Sequence, residues 1–301
     1  MVYKGEIYFW GGIWMDTSNC EYNQTLPEIE AHHNIGGETT ALYHYHNSYE
    51  VYLFLAGDVD YYIEMNSYHL KRGDLFAIRP DELHRSCVLG RRNEYERAFF
   101  NVQVPVLNSL SSQYTNLRDC FYNRPFGQDN YKHMEEGDVS ELITLAHQIH
   151  DLENSSAYGA DILRRTYASQ MLVLVNRAFL KKNEASRPNN IMTPMVSDIM
   201  TYIGDHLTED ITLNALSEHL YHNASYISRK FKETTGLTIQ QYIMYKRIIL
   251  AKKYLLEHRS LLDTSQMCGF NEYSSFYRTF MRQVGVSPIQ FVKENAGAFE
   301  K

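Results

Sequence analysis

A segment of the C-terminal third occurs twice. Residues 224–243, ASYISRKFKETTGLTIQQYI, align with residues 273–292, YSSFYRTFMRQVGVSPIQFV, at an offset of 49. Ser225 and Ser274, Arg229 and Arg278, Phe231 and Phe280, Gly236 and Gly285, and Gln241 and Gln290 are identical pairs. Ile227/Phe276, Leu237/Val286 and Tyr242/Phe291 keep apolar character, and Phe231 and Phe280 read as core. Upstream the match continues at an offset of 48 through Leu213/Leu261, Ser217/Ser265 and Asn223/Asn271, so the second copy has one extra residue in its turn. Each copy reads as helix, short turn, helix. The first is Thr212–Leu220, with Thr212 as N-cap, then Ala224–Thr235 closed by Gly236. The second is Leu261–Cys268, then Glu272–Val284 closed by Gly285. Met195–His206 precedes them, and Pro288–Asn295, with Ser287 as cap and Pro288 at N1, follows. The joining stretch, Thr238–Glu257, spans about 30 Å as a helix. Helices entering successive major grooves on one DNA face sit roughly 34 Å apart, so a chain built this way is dimensioned to read two of them.

Charge points the same way. The 301-residue chain carries a net charge of −7, yet residues 189–301 hold twelve basic and eleven acidic side chains, and Arg229–Lys253 holds seven basic residues against Glu233 alone. A basic island in an acidic protein suits a local polyanion contact.

The first hundred residues read differently. Val51–Leu55, Val59–Glu64, Leu75–Ile78 and Glu94–Val104 are short, rich in Val, Ile, Tyr and Phe, and separated by Gly57, Asn66-Ser67, Gly73-Asp74, Pro80 and Gly90. Such spacing predicts a sandwich or small barrel. Asp138–Leu152 and Ala157–Leu180 then show helical periodicity. In the second, Leu163, Tyr167, Met171, Leu174 and Ala178 make one stripe, which fits packing onto the β part or a homodimer seam. The expected organisation is α+β in two domains: a β-barrel over 1–137, a helical connector or dimerisation region over 138–183, a polar linker over 184–194, and an all-α domain over 195–301.

Several classes are excluded. The apolar stretch Ile7–Met15 is too short for a bilayer span and lacks signal-peptide flanks, which predicts a non-membrane, cytoplasmic protein. Cys20, Cys87, Cys120 and Cys268 are scattered, without a CxxC pair, and read as reduced thiols. No Gly-rich phosphate loop, nucleophile elbow or HExxH appears.

Residues about 195–295 resemble the AraC/XylS-type DNA-binding domain. The likeness rests on Gly269-Phe270, Ser274, Phe276, Arg278 and Phe280, then Gly285-Val286-Ser287-Pro288 and Phe291. Thr264 and Ser265 depart from the family's Ile-Ala, and Ser217 from its Ala, which implies a less firmly packed second motif. The resemblance places groove-facing positions at Ser225, Tyr226, Ser228 and Arg229, and at Tyr273, Ser274, Ser275, Tyr277 and Arg278. Arg grips guanine bidentately, whereas Ser reads permissively. Lys230, Lys232 and Arg282 are implied phosphate contacts.

A second constellation is His44-Tyr45-His46-Asn47-Ser48-Tyr49-Glu50 with His84 downstream. HxHxxxE with a distant His resembles the metal motif of the cupin barrels, with His44 and His46 alternating onto one strand face. Three imidazoles and a carboxylate suit a divalent transition metal. The second cupin motif departs from the pattern: Glu82 replaces its glycine, and the spacing from Pro80 to His84 is short by one. AraC-type sensor domains resemble cupins and often retain such residues without a metal. Three readings stay open for His44, His46, Glu50 and His84: a metal site, an organic-ligand pocket, or structural histidines. Tyr52, Arg79 and Trp14 are further ligand-contact candidates.

The expectation is a non-enzymatic, ligand-responsive transcription regulator that binds double-stranded DNA. The resemblance implies a small-molecule effector of the sugar class and RNA polymerase as partner, and the stripe within 157–181 predicts a homodimer. The competing reading is a metal-dependent cupin enzyme, an isomerase or oxygenase, fused to a DNA-binding tail.

Overall fold

The computed structural model describes residues 7–10, 13–16, 28–36, 43–181 and 192–295. The chain divides into two compact units, one around residues 45–181 with the strand at 29–35, the other around residues 192–295. A hairpin of β1 (Ile7–Trp10) and β2 (Ile13–Asp16), together with residues 43–44, is grouped with the second unit. The linker expected at 184–194 lies outside the described residues up to 191, and Pro194 already opens a helix.

The first unit is a two-sheet β structure. Strands β3 (Ile29–Ile35), β4 (Ser48–Ala56), β5 (Val59–Ile63), β6 (Asn66–His69), β7 (Asp74–Ile78), β8 (His84–Val88), β9 (Glu96–Gln103) and β10 (Tyr131–His133) form sheets of order β10-β7-β4-β9-β3 and β6-β5-β8. Alternation along β4 sorts its side chains between two cores, as a period of two requires. Tyr49, Val51, Leu53 and Leu55 face helices, while Tyr52 and Phe54 face inward with Tyr61, Ile63, Phe76, Ile78 and Tyr95. The helical side is built from α1 (Val104–Leu110), α2 (Asp119–Tyr122), α3 (Glu136–His150) and α4 (Ala160–Leu180).

The stripe on α4 is core. Met171 and Ala178 are buried beside Ala168, Leu172 and Val175 against the sheet, Tyr167 and Leu174 pack on them, and only Leu163 of the five is exposed. Of the two readings expected for the stripe, packing onto the β part is the one these four positions take. The apolar periodicity reflects burial against the chain's own β-sheet.

Glu82, which breaks the cupin pattern, is fully buried and structural. Its carboxylate accepts hydrogen bonds from Arg124 Nη1 and Nη2 (2.7 and 2.8 Å), Gly127 N (2.7 Å), Asn130 Nδ2 (2.8 Å) and Arg79 N (3.0 Å). Burial alone would raise its pKa, but the Arg124 guanidinium overcomes that and holds it below the usual carboxylate value. The loop 123–130 is thereby fastened beneath β7.

The second unit is all helical: α5 (Pro194–Asp205), α6 (Leu213–Leu220), α7 (Ala224–Thr235), α8 (Ile239–Leu256), α9 (Leu261–Met267), α10 (Tyr273–Val284) and α11 (Pro288–Asn295). The repeat is a repeat of structure. Helices α7 and α10 have equal length at the offset of 49, and both end on a left-handed glycine, Gly236 at φ 76° and Gly285 at φ 81°. Only a residue without Cβ takes that conformation cheaply. The expected caps are present: Thr212 accepts from Ala215 N and Ser287 from Gln290 N, and Thr238, at the position equivalent to Ser287, caps α8 by accepting from Gln241 N. Phe231 and Phe280 are fully buried. Helix α8 buries residues on several sides, among them Tyr242, Ile243, Ile248, Ala251 and Leu255, as a helix shared by two motifs must.

Thr264 is wholly buried, and its hydroxyl has no hydrogen-bond partner among the described residues. Gly269 sits at φ 79°, where a Cβ would meet the Thr208 carbonyl at 2.9 Å and Arg247 Cζ at 3.0 Å. Thr264→Val, an isostere without the unsatisfied hydroxyl, should stabilise the helical unit by about 1 kcal/mol. Gly269→Ala should destabilise it by more than about 1 kcal/mol. Urea unfolding of the two variants beside the parent checks both signs.

Candidate nucleic-acid interface and effector site

Helix α7 buries Ile227, Phe231 and Thr235, and α10 buries Phe276, Thr279 and Phe280. Spacings of three and four put these on one face. The opposite faces carry the expected reading positions. Ser225, Tyr226, Arg229 and Lys232 are exposed and Ser228 and Lys230 half-buried on α7. Tyr273, Ser274, Tyr277, Arg278 and Arg282 are exposed and Ser275 half-buried on α10. All twelve therefore lie on two helices, and four pairs of them, Ser225/Ser274, Tyr226/Ser275, Ser228/Tyr277 and Arg229/Arg278, hold equivalent positions at the offset of 49. Arg229 rests over the Tyr226 ring, 5.7 Å to its centroid, and stands 3.8 Å from Glu233. Both are exposed contacts that a nucleic acid can displace at little cost.

The basic island is smaller than its sequence suggests. Arg247 and Lys252 are buried. Arg247 Nε donates to the Leu207 carbonyl (2.9 Å) and Nη2 to that of Glu209 (2.6 Å), and the guanidinium lies 5.9 Å from the Phe270 ring. Burial lowers its pKa, with Asp210 working against the shift. These two cations hold helices together; the surface field comes from Arg229, Lys230, Lys232, Lys246 and Lys253.

Inside the β unit, His46, Glu50 and His84 converge. Glu50 points inward from β4, and its Oε2 lies 2.8 Å from His46 Nε2 and 3.6 Å from His84 Nε2. The two rings meet edge to face, 5.0 Å between centroids. Each Nδ1 is engaged by backbone: His46 at 3.0 Å from the Ser48 carbonyl, His84 at 2.8 Å from that of Glu82. Those contacts aim both Nε2 atoms at the carboxylate. All three residues are buried, and their ligating atoms lie within 4.8 Å of one another. This donor set fits a divalent transition-metal ion, since two imidazoles with their far nitrogens anchored and one carboxylate are ordinary ligands for such ions. Around it the interior is aromatic. Tyr61 is 6.4 Å from His84, ring to ring, Tyr52 stacks on Tyr61 at 4.4 Å, and Tyr52 shares a 2.8 Å hydroxyl hydrogen bond with Tyr95.

Two expected residues, His44 and Arg79, do not join this group, and the side chain of a third, Trp14, is outside the described residues. His44 holds only an isolated bridge and residues 45–47 are irregular, so the strand alternation that was to align His44 with His46 does not exist; β4 begins at Ser48. Arg79 lies over the Phe126 and Tyr122 rings, 4.7 and 5.4 Å to their centroids, and stands 3.4 Å from Glu82. It belongs to the structural loop. Trp14 lies on β2, whose side chains fall outside the described residues. Sequence reasoning missed Ser48, Tyr61 and Tyr95. Tyr61 was findable, because it alternates inward on a strand recognised from its composition.

Residues 27–170 match the family described as "AraC-like ligand binding domain", and residues 216–294 match one described as "Helix-turn-helix domain". The melibiose operon regulatory protein of Escherichia coli K12 is 26% identical over 270 residues, covering 83% of each chain. The probable transcriptional regulator LumQ of Photobacterium leiognathi is 28% identical over 255 residues, covering 83% of this chain and 91% of its own. The HTH-type transcriptional activator RhaR of Escherichia coli K12 is 23% identical over 251 residues, covering 82% and 86%.

Burial opposes the Glu50 charge, but hydrogen bonds from His46 and His84 prevail and lower its pKa from the ordinary 4.5. For His84 burial works against protonation, and the Glu50 hydrogen bond and charge prevail and raise its pKa from the ordinary 6.5. Glu50's contribution to stability is thus present above about pH 4.5 and lost as pH falls through its lowered folded value. His84's contribution is present below about pH 6.5 and lost as pH rises through its raised folded value. The stability gap between the parent and Glu50→Gln should be widest between about pH 4.5 and 6.5 and narrow on both sides. Thermal unfolding of both proteins across pH checks this.

Proposed function

The chain belongs to the AraC family of transcription regulators, pairing a ligand-binding domain with a helix-turn-helix domain, and from that premise we propose that it senses a sugar and reads two successive major grooves. It is a ligand-responsive, sequence-specific DNA-binding regulator. The observation that carries the effector class is the buried Glu50 carboxylate between His46 and His84 in an interior lined by tyrosines. A carboxylate and imidazoles take up sugar hydroxyls, and aromatic faces cover the C–H surface of a pyranose. One relative regulates, by its name, a melibiose operon, which supports the same class. A divalent ion held by His46, Glu50 and His84 would supply a Lewis-acidic centre for effector oxygens.

On DNA, Arg229 and Arg278 are the base readers, assisted by Ser225, Tyr226, Ser228, Tyr273, Ser274, Ser275 and Tyr277. Lys230, Lys232 and Arg282 grip phosphate. The family resemblance supports RNA polymerase as a downstream partner, a second copy of the chain in the working complex, a cytoplasmic location, and regulation rather than catalysis. Among the described residues no helix is long and apolar enough to cross a membrane. The effector acts through differential affinity for two states of the protein, because a ligand that binds both equally shifts nothing.

The test uses the full chain and a DNA site selected with it. A panel of mono- and disaccharides, melibiose included, is titrated while DNA affinity and thermal midpoint are followed. One sugar should change DNA affinity by at least about fivefold, within the usual range of allosteric coupling, and raise the midpoint. Glu50→Ala should still bind the DNA and lose the sugar response. A sugar response unchanged in Glu50→Ala would place the effector elsewhere.

A further inference from the structure

Two groups of His, Asp or Glu among the described residues are close enough to share one metal ion. One is the Glu50 group. The other, His32, His150 and Glu153, has no part in the function proposed above and is built on different elements: strand β3 and the C-terminal end of α3.

In the described sheet β3 pairs only with β9, which leaves its other edge open. Glu153 closes that edge, its Oε1 accepting from the Ala31 amide at 3.1 Å. His32 Nε2 stands 3.7 Å from the same oxygen and 3.8 Å from Glu30 Oε2. The second oxygen of Glu153 stands 3.5 Å from His150 Nδ1, and the rings of His32 and His150 meet edge to face at 5.0 Å. Separations of 3.5–3.8 Å are longer than a good hydrogen bond of about 2.7–3.2 Å. They approach the edge of a tetrahedron around an ion with bonds of about 2.0–2.2 Å, which is about 3.3–3.6 Å.

The donors are also held and graded. Asn101 Nδ2 fixes the other oxygen of Glu30 at 2.8 Å. One position away, His33 and His147 stack and approach at 3.0 Å, and His33 Nε2 meets Glu96 at 2.7 Å. That pair locks the register of β3 against α3. Side-chain exposure rises from 12% and 14% at Glu30 and Glu153 to 29% at His32 and 53% at His150. The carboxylates lie deep and one imidazole stands at the mouth, which is an entry path for an ion. Two largely buried carboxylates around one imidazole concentrate negative charge that a divalent cation neutralises.

We propose that His32, His150 and Glu153 bind a divalent transition-metal ion of the zinc class, with Glu30 beside His32 adding negative charge. Mixed imidazole and carboxylate donors favour zinc over magnesium or calcium. The ion ties the end of α3 and the turn after it to the edge of the sensor sheet. This inference does not depend on the sugar reading.

The test uses the full chain, freed of metal with chelator and titrated with Zn²⁺ while bound metal and thermal midpoint are measured. His150→Ala is the chief variant, because His150 is the most exposed donor and its loss leaves the core intact; circular dichroism confirms its fold. Glu153→Gln is the second, and Glu50→Gln marks the other group. The expected result is zinc bound at micromolar concentration, a raised midpoint, and at least about tenfold weaker binding in both His150→Ala and Glu153→Gln, with this site retained in Glu50→Gln. No zinc binding by the parent, or binding unaltered in folded His150→Ala and Glu153→Gln, would overturn the proposal.

Discussion

One buried arginine joins the two halves of the DNA-reading unit. Arg247 sits midway along α8, bonds the carbonyls of Leu207 and Glu209 that follow α5, and lies against Gly269-Phe270 in the turn of the second motif. A buried guanidinium is tolerated only with its donors met. Here backbone carbonyls from the turn between α5 and α6, just ahead of the first motif, meet them, while the second motif supplies an aromatic face and a glycine that leaves room. The turn that leads into the first motif and the turn inside the second thus meet at the same side chain of the same helix. The separation of α7 and α10 then follows from α8 itself, 18 residues or about 27 Å. That length is the basis for proposing one reader of set spacing rather than two readers on a tether.

The sensor unit shows the same economy with charge. Glu82 and Glu50 are both buried carboxylates, but their surroundings differ. Glu82 is saturated by Arg124 and by amides, and it serves the loop. Glu50 is met by two imidazoles in an aromatic interior. Imidazoles change charge near neutral pH and take part in ligand hydrogen bonds, so this group can exchange partners where the Glu82 group cannot. Buried polar groups able to exchange partners are what an effector needs if it is to prefer one state of the protein.

The helical half was legible because its signals are local and duplicated. Thr212, Thr238 and Ser287 cap helices, Gly236 and Gly285 end them, and each appears in a repeat that rules out coincidence. The β half was partly legible. Strands β4, β5, β7 and β9 are rich in Val, Ile, Tyr and Phe, whereas β3, β6, β8 and β10 read IEAHHNI, NSYH, HRSCV and YKH. Their buried positions include Glu30, Ser67, His84 and Arg85, polar side chains whose partners are distant in sequence and cannot be read from composition. The same cause misplaced Arg79 and His44. A basic run and a helical stripe likewise announce their residue types without announcing what faces them. Arg247 and Lys252 proved internal, and the α4 stripe proved to be core.

The central claim is that two equivalent helices, held by one shared helix, read two separate base clusters. Selection from randomised DNA with the parent, Arg229→Ala and Arg278→Ala tests it most directly. A bidentate arginine–guanine pair carries about 1–3 kcal/mol of discrimination, so each variant should lose preference at its own cluster. The two clusters should lie about 10 base pairs apart, one helical turn. If both variants lose preference at the same base pairs, the account of two readers at a fixed spacing is wrong.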